Sequence, residues 1–177
     1  MKKIFVITGI TAALLLLVGG GYVYYLFNIK TVKVTDEKVN AITKSDYKVK
    51  VPKKVEKPKP ATEQEIIAKY TPAFEGLEAE ADSKIVQVVE VAKNEYIQKK
   101  NAGDTISYKY FALKYKSAAA TLEETTDNAF YEIYNSMSDE LRKNGHSNTS
   151  LQQFRDTYEA KKEAREKEIL KKAMEYL

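Results

Sequence analysis

Between Lys3 and Asn28 the chain runs for 24 residues, Ile4 to Phe27, without a charged side chain. At a helical rise of about 1.5 Å per residue this stretch reaches roughly 36 Å, enough to cross a bilayer with some tilt. A secretory signal needs an apolar core of only about 7 to 15 residues, followed by a polar cleavage region. Here the run closes on YVYYLF instead, and Tyr22, Tyr24, Tyr25 and Phe27 suit the interfacial belt at the end of a span. Residues 1–29 are therefore expected to form a retained signal-anchor, a transmembrane helix that meets the membrane through residues 4–27. Gly19 and Gly21 supply a small-x-small pair, so cleavage after Gly21 is the alternative. The flanks disagree on orientation. Lys2 and Lys3 favour a cytoplasmic N-terminus, whereas Lys30, Lys33, Lys38 and Lys44 favour the reverse by count. The signal-like placement of the Lys pair, with a spacer-like sequence after the span, tips the expectation toward a C-terminal part outside a bacterial plasma membrane.

The net charge of +4 hides an asymmetry. Residues 28–62 hold ten Lys against four Asp or Glu, while residues 63–177 hold 17 Lys and Arg against 21 acids. The basic excess thus adjoins the apolar run. No basic face with interleaved aromatics continues beyond it, so a nucleic-acid partner is not expected. An anionic lipid or cell-wall polymer is the better match. Within this region TVKV and YKVKV alternate in a way compatible with short strands, but Pro52, Pro58 and Pro60 with dense Lys favour extension. Residues 30–62 are read as a basic Lys/Pro-rich linker reaching on the order of 90 Å. Lys48, Lys50, Lys53, Lys54, Lys57 and Lys59 are its candidate contacts to anionic lipid or polymer.

Past Pro60 the composition turns to helix formers, and residues 63–177 are expected to fold as an all-α unit. A short helix over 63–70 should break at Thr71 and Pro72, where a long helix over about 72–101 begins, because Thr can cap and Pro suits the first helical position. Phe74, Leu77, Ala81, Ile85, Val88, Ala92 and Tyr96 recur at spacings of three and four along it. Gly103 is placed to terminate it in a left-handed conformation. A second helix over about 105–144 carries Tyr108, Phe111, Tyr115, Ala118, Leu122, Ala129, Ile133, Met137 and Leu141 on one face, and Gly145 ends it in the same way. Thr125 and Thr126 interrupt that stripe as a polar layer or a bend. A third helix over about 150–176 starts at capping-box spacings, Thr149 to Gln152 and Ser150 to Gln153. Its face of Leu151, Phe154, Tyr158, Ile169, Ala173 and Tyr176 is broken by Lys161, Lys162 and Arg165. Three helices with short connections predict an elongated antiparallel three-helix bundle or coiled coil. The polar middle of the third helix points to a protein partner or a second copy completing the seam.

FEGLEAEAD (Phe74 to Asp82), ISYKYFALKY (Ile106 to Tyr115), LRKNG (Leu141 to Gly145) and YEAKKEAREKE (Tyr158 to Glu168) together resemble uncharacterised single-span, membrane-anchored helical proteins of Bacillus-type Gram-positive bacteria. The resemblance implies the fold above and no activity.

The chain has no cysteine, which removes disulfides, thiolate metal sites, a cysteine nucleophile and a lipidated cysteine. His146 is the single histidine and is read as an exposed loop residue. HExxH, the P-loop and GxSxG are absent. Acids such as Glu78, Glu80 and Asp82, or Glu123, Glu124 and Asp127, are read as solvated helix faces. No catalytic residue, cofactor or metal site is expected. The remaining unusual feature is the set Tyr108, Lys109, Tyr110, Lys114 and Tyr115. Helical spacing assigns 108, 111 and 115 to a core face and leaves Tyr110 off it, with a partner-binding patch as the sharper alternative. The function expected is that of an extracytoplasmic helical interaction or scaffold protein. A cytoplasm-facing adaptor with a lipid-binding tether and a secreted polymer-binding protein are the alternatives.

Overall fold

The computed structural model describes residues 36–52 and 60–174. The Ile4–Phe27 stretch, Lys53, Lys54, Lys57, Lys59 and Tyr176 lie outside the described residues. Among the described residues the secondary structure is entirely helical: α1 (Glu37–Thr43), α2 (Glu63–Ala102), α3 (Tyr108–Lys143) and α4 (Thr149–Met174). None of these helices is long and apolar enough to cross a membrane. The chain divides into two compact units. One takes in residues up to Ser45, Ser83–Leu122 and the chain from Glu163; the other takes in Asp46–Asp82 and Glu123–Lys162.

The helix ends follow from local chemistry. Thr62 and Glu65 form a reciprocal capping box at the start of α2. The Thr62 hydroxyl accepts from Glu65 N–H at 3.3 Å, and Glu65 Oε2 accepts from Thr62 N–H at 2.8 Å. At the other end Gly103 has φ +72°, Asp104 N–H donates to Lys99 C=O and Gly103 N–H donates to Lys100 C=O. The end of α3 repeats this Schellman pattern: Gly145 has φ +77°, His146 N–H reaches Leu141 C=O and Gly145 N–H reaches Arg142 C=O. A Cβ at Gly145 would meet nothing within 4 Å, so only backbone conformation demands glycine there. Gly145→Ala is expected to cost about 1 to 2 kcal/mol and Gly145→Asn less, read from urea unfolding.

Two expectations about helix boundaries are corrected. Pro72 does not start a helix but sits inside α2, which runs unbroken from Glu63. Proline within a helix removes the N–H that would reach residue 68 and costs about 3 kcal/mol. Packing outweighs this cost, because Ile66 and Tyr70 before it and Ala73 and Leu77 after it are all buried in one core. Thr71 caps nothing; its hydroxyl donates back to Ile67 C=O at 2.9 Å. Nor does Ser150 form the expected capping box on α4, since its hydroxyl is engaged by Glu63.

The linker reading also gives way between 36 and 51. Asp36 caps α1, its Oδ1 accepting from Val39 N–H at 3.0 Å. Val39 is fully buried against Val88 and Ala118. Burying one aliphatic side chain contributes about 1.5–3 kcal/mol, a gain that an extended tether would forgo. Farther on, Tyr47, Val49 and Val51 pack on the core of the second unit, and so does Ala61 on the far side of the prolines. The Ala61 N–H donates to Asn144 Oδ1 at 3.0 Å, and its carbonyl accepts from His146 Nε2 at 2.7 Å. His146 is thus half-buried and fixes the chain's entry into α2, which corrects the expectation of an exposed loop histidine.

The core of the second unit combines Ile66, Tyr70 and Leu77 of α2, Phe130, Ile133, Met137 and Leu141 of α3, and Leu151 of α4. Rings knit it together: Phe130 stacks on Tyr158 at 4.0 Å and tilts against Phe74 at 5.4 Å, which in turn meets Phe154 at 4.9 Å. Two lysines of the polar middle of α4 are met from within this unit. Lys161 pairs with Glu78 at 2.6 Å, Lys162 lies 3.0 Å from both Glu123 and Asp127, and the Tyr158 hydroxyl donates to Asp127. Burial, then the Asp127 carboxylate, push the Tyr158 phenol upward. The Thr126 hydroxyl meets Tyr47 Oη, so the interruption in the α3 stripe serves the chain ahead of α2.

Candidate functional site

Of the aromatic and lysine set at the start of α3, Lys114 and Tyr115 turn inward and Tyr110 stays exposed. Phe111 is fully buried, and Lys114, at 7% exposure, is nearly so. The Lys114 ammonium lies 2.5 Å from Asp36 and 2.7 Å from Glu95, and the Tyr115 hydroxyl donates to the same Glu95 oxygen at 2.8 Å. Burial alone would lower the Lys114 pKa, but the hydrogen bonds to Asp36 and Glu95 reverse that and raise it. The hydrogen bond from Lys114 in turn holds the Asp36 carboxyl below its ordinary range. Burial and Glu95 drive the Tyr115 phenol upward. Lys114 and Tyr115 are therefore interior ties. Tyr110 is half exposed, with its ring edge-on to Phe111 and 5.7 Å from the Lys114 ammonium. Tyr108 and Lys109 occupy the first turn of α3, and their side chains lie outside the described residues.

The lysines ahead of α2 are placed differently. Along YKVKV, Tyr47, Val49 and Val51 pack on the core while Lys48 and Lys50 are exposed, and the Val51 N–H donates to Val49 C=O at 3.1 Å to close a tight turn at Lys50. The segment is fixed to α2 by the Lys48 N–H, which donates to Glu80 Oε2 at 2.9 Å. Neither the Lys48 nor the Lys50 ammonium is paired with a carboxylate among the described residues. Between this segment and α2 lies an open groove of about 230 Å³, with Lys48 and Lys50 on one wall and Lys69, Pro72, Gly76 and Glu80 on the other. Lys69 is held by Glu140, whose two oxygens each lie 2.7 Å from its ammonium.

Gly76 is the anomaly in this groove. It sits in the interior of α2, has no positive φ, and a Cβ there would meet nothing within 4 Å. Glycine inside a helix gives up about 1 kcal/mol relative to alanine. No turn or internal contact accounts for that cost. Gly76→Ala is therefore expected to stabilise the protein by about 0.5–1 kcal/mol, measured by urea unfolding.

Among the described residues no three His, Asp or Glu side chains converge to hold a metal ion. Comparison of the chain with protein-family models, with curated proteins and with solved structures finds no match. The groove and the Lys114 cluster are thus interpreted from their own chemistry.

Two features escaped the sequence. Asp36 is 78 residues from Lys114, so no local pattern links them, although Asp36 followed by Val39, Ile42 and Thr43 has the spacing of a capped helix. Gly76 is silent in composition, and the open space above it is seen only in the fold.

Proposed function

We propose that this chain is a membrane-anchored helical module of the bacterial envelope, carrying its folded part outside the plasma membrane and acting as an interaction or scaffold element rather than as an enzyme. The observation that supports this most is a short interval. Eight residues, Asn28 to Thr35, separate the end of the uncharged run from Asp36, the cap of α1. Eight residues reach at most about 28 Å, so an apolar span at 4–27 would keep the folded part close to the bilayer surface. Lys48 and Lys50, exposed and without carboxylate partners among the described residues, then supply a positive surface suited to the anionic material of an envelope. The neighbouring Lys53, Lys54, Lys57 and Lys59 add to that charge in sequence.

Protease treatment of intact, wall-stripped cells expressing the full chain tests this reading, with an antibody against residues 150–177. Loss of the epitope together with survival of a small membrane-bound fragment is the expected result. Full protection until lysis would replace this reading with a cytoplasm-facing adaptor whose lysines rest on anionic lipid. Recovery of a mature protein beginning at Tyr22 would replace it with a secreted one.

A further inference from the structure

The second half of α2 keeps one face turned away from the packed interior. Among the described residues four large hydrophobic side chains stand open to water, and two of them, Val86 at 43% and Ile97 at 40% exposure, lie on this helix. Their positions differ by three helical turns, so both point the same way, about 16 Å apart along the axis. Glu90 and Lys93 stand between them on the same stripe, at successive spacings of four, three and four. The buried positions Ala81, Lys84, Val88 and Ala92 fall on the opposite side of the helix. Neither charge on the stripe is engaged within the chain: Glu90 and Lys93 make no ion pair with each other, and no side-chain hydrogen bond or ion pair elsewhere among the described residues. Val86 and Ile97 for their part give up some helix propensity through β-branching, with little burial in return.

The order of these four residues identifies what covers them. Read forward the stripe is apolar, acidic, basic, apolar; read backward it is apolar, basic, acidic, apolar. It is therefore complementary to its own reverse. A second copy of α2 laid antiparallel, with the two-fold axis midway between Glu90 and Lys93, sets Val86 against Ile97 of the second copy and Glu90 against its Lys93. The symmetry makes each of these pairs twice. Spacings of four and three are those of a coiled-coil seam, and here the two ion pairs are enclosed between apolar layers. Parallel pairing in register would instead put Glu90 on Glu90 and Lys93 on Lys93, an arrangement that like charge disfavours. Because the two charges cancel, the stripe attracts neither a polyanion nor an anionic bilayer.

We propose that this outward face of α2 is a homodimer contact, antiparallel about the midpoint between Glu90 and Lys93. The contact goes beyond the scaffold reading and does not rest on it, since it forms on either side of a membrane. One face of one helix is small against the usual interface of about 800 Å² per partner, so the affinity is expected to lie in the micromolar range or weaker.

The test uses the full chain in detergent, followed by sedimentation equilibrium across a concentration series. Glu90→Lys and Lys93→Glu each place like charges in both central pairs, and each is expected to weaken dimerisation about tenfold or more. Mixed in equal amounts, the two variant chains regain opposite charges at every central position and should pair with the parent's affinity. This recovery keeps the result readable even where one variant alone is less stable. Ile97→Glu buries a carboxylate against Val86 and is expected to weaken pairing about as much as either reversal. Direction is read by cross-linking, which a chain without cysteine makes clean. Val86→Cys mixed with Ile97→Cys should be joined by a short bismaleimide, whereas either variant alone should not, because identical positions then lie about 16 Å apart. A chain that stays monomeric up to about 1 mM overturns the proposal. Dimerisation that ignores the charge reversals also overturns it, since the contact then lies elsewhere. Reversals that weaken pairing without recovery in the mixture show that the two positions do not face each other. Cross-linking of Val86→Cys to its own copy makes the pairing parallel and rejects the assignment as well.

Discussion

Phe130→Ala is expected to lower unfolding free energy by about 4 kcal/mol, within the range for deleting a fully buried aromatic ring. Phe130 is only 2% exposed and contacts rings from the other two long helices, Phe74 on α2 and Tyr158 on α4. Truncation removes its apolar burial and its stacking on Tyr158, and leaves a cavity that helices fixed by Ile133 and Met137 cannot easily close. Against a typical total of about 5–15 kcal/mol, that loss is a large share. Urea unfolding followed by tyrosine near-ultraviolet circular dichroism measures it. Phe130→Leu keeps most of the volume and should recover more than half. An alanine effect below about 1 kcal/mol would mean that the ring cluster does not organise this core.

Lys114→Met has the second largest expected effect, about 3 kcal/mol at neutral pH. The Lys114 side chain is 6% exposed, whereas those of Asp36 and Glu95 are 27% and 19% exposed, so residual solvent softens the cost of leaving two carboxylates unpaired. The pH dependence distinguishes this from simple loss of packing. In the parent protein the Asp36 carboxyl is lowered by Lys114, so its contribution is full above the ordinary carboxylate range near pH 4. It is lost as pH falls through the depressed folded value. In the variant the Asp36 carboxylate, left without its cation, gains by taking up a proton in the folded state, so acid relieves the defect. The stability gap between the two proteins should therefore narrow from pH 7 toward pH 4. A gap that stays constant across this range would show that Lys114 acts through its methylene stem alone.

Much of the fold was legible because it rests on short-range rules. The glycines at 103 and 145 follow helix ends and adopt positive φ, and Leu77, Ala81, Val88, Ala92, Ile133, Met137 and Leu141 of the expected stripes are buried. Errors arose where tertiary packing outweighed a local preference. Pro72 reads as a helix start until Ile66, Tyr70 and Leu77 are seen to share one core across it. Ala129 was placed on the α3 stripe and Phe130 was not, because a face packed against two partners is wider than one spacing rule allows. The prolines and lysines of 30–62 suggested an extended linker, although Tyr47, Val49, Val51 and Ala61 pack on the core. Lys48 and Lys50 were identifiable by charge, but their alignment opposite Gly76 depends on a groove that composition does not encode.

Asp36 divides its two carboxylate oxygens between α1 and Lys114, with Oδ1 on the Val39 N–H and Oδ2 on the ammonium. A pull that enters the described fold at Asp36 loads this side chain before it reaches a helix core. The structure behind it is only the seven residues of α1, seated by Val39 and Thr43. Under tension that short helix should peel away as a first, small yielding step, lengthening the connection while α2, α3 and α4 keep their packing. Force spectroscopy on the full chain would register it as a short extension preceding the main rupture, absent in Lys114→Met.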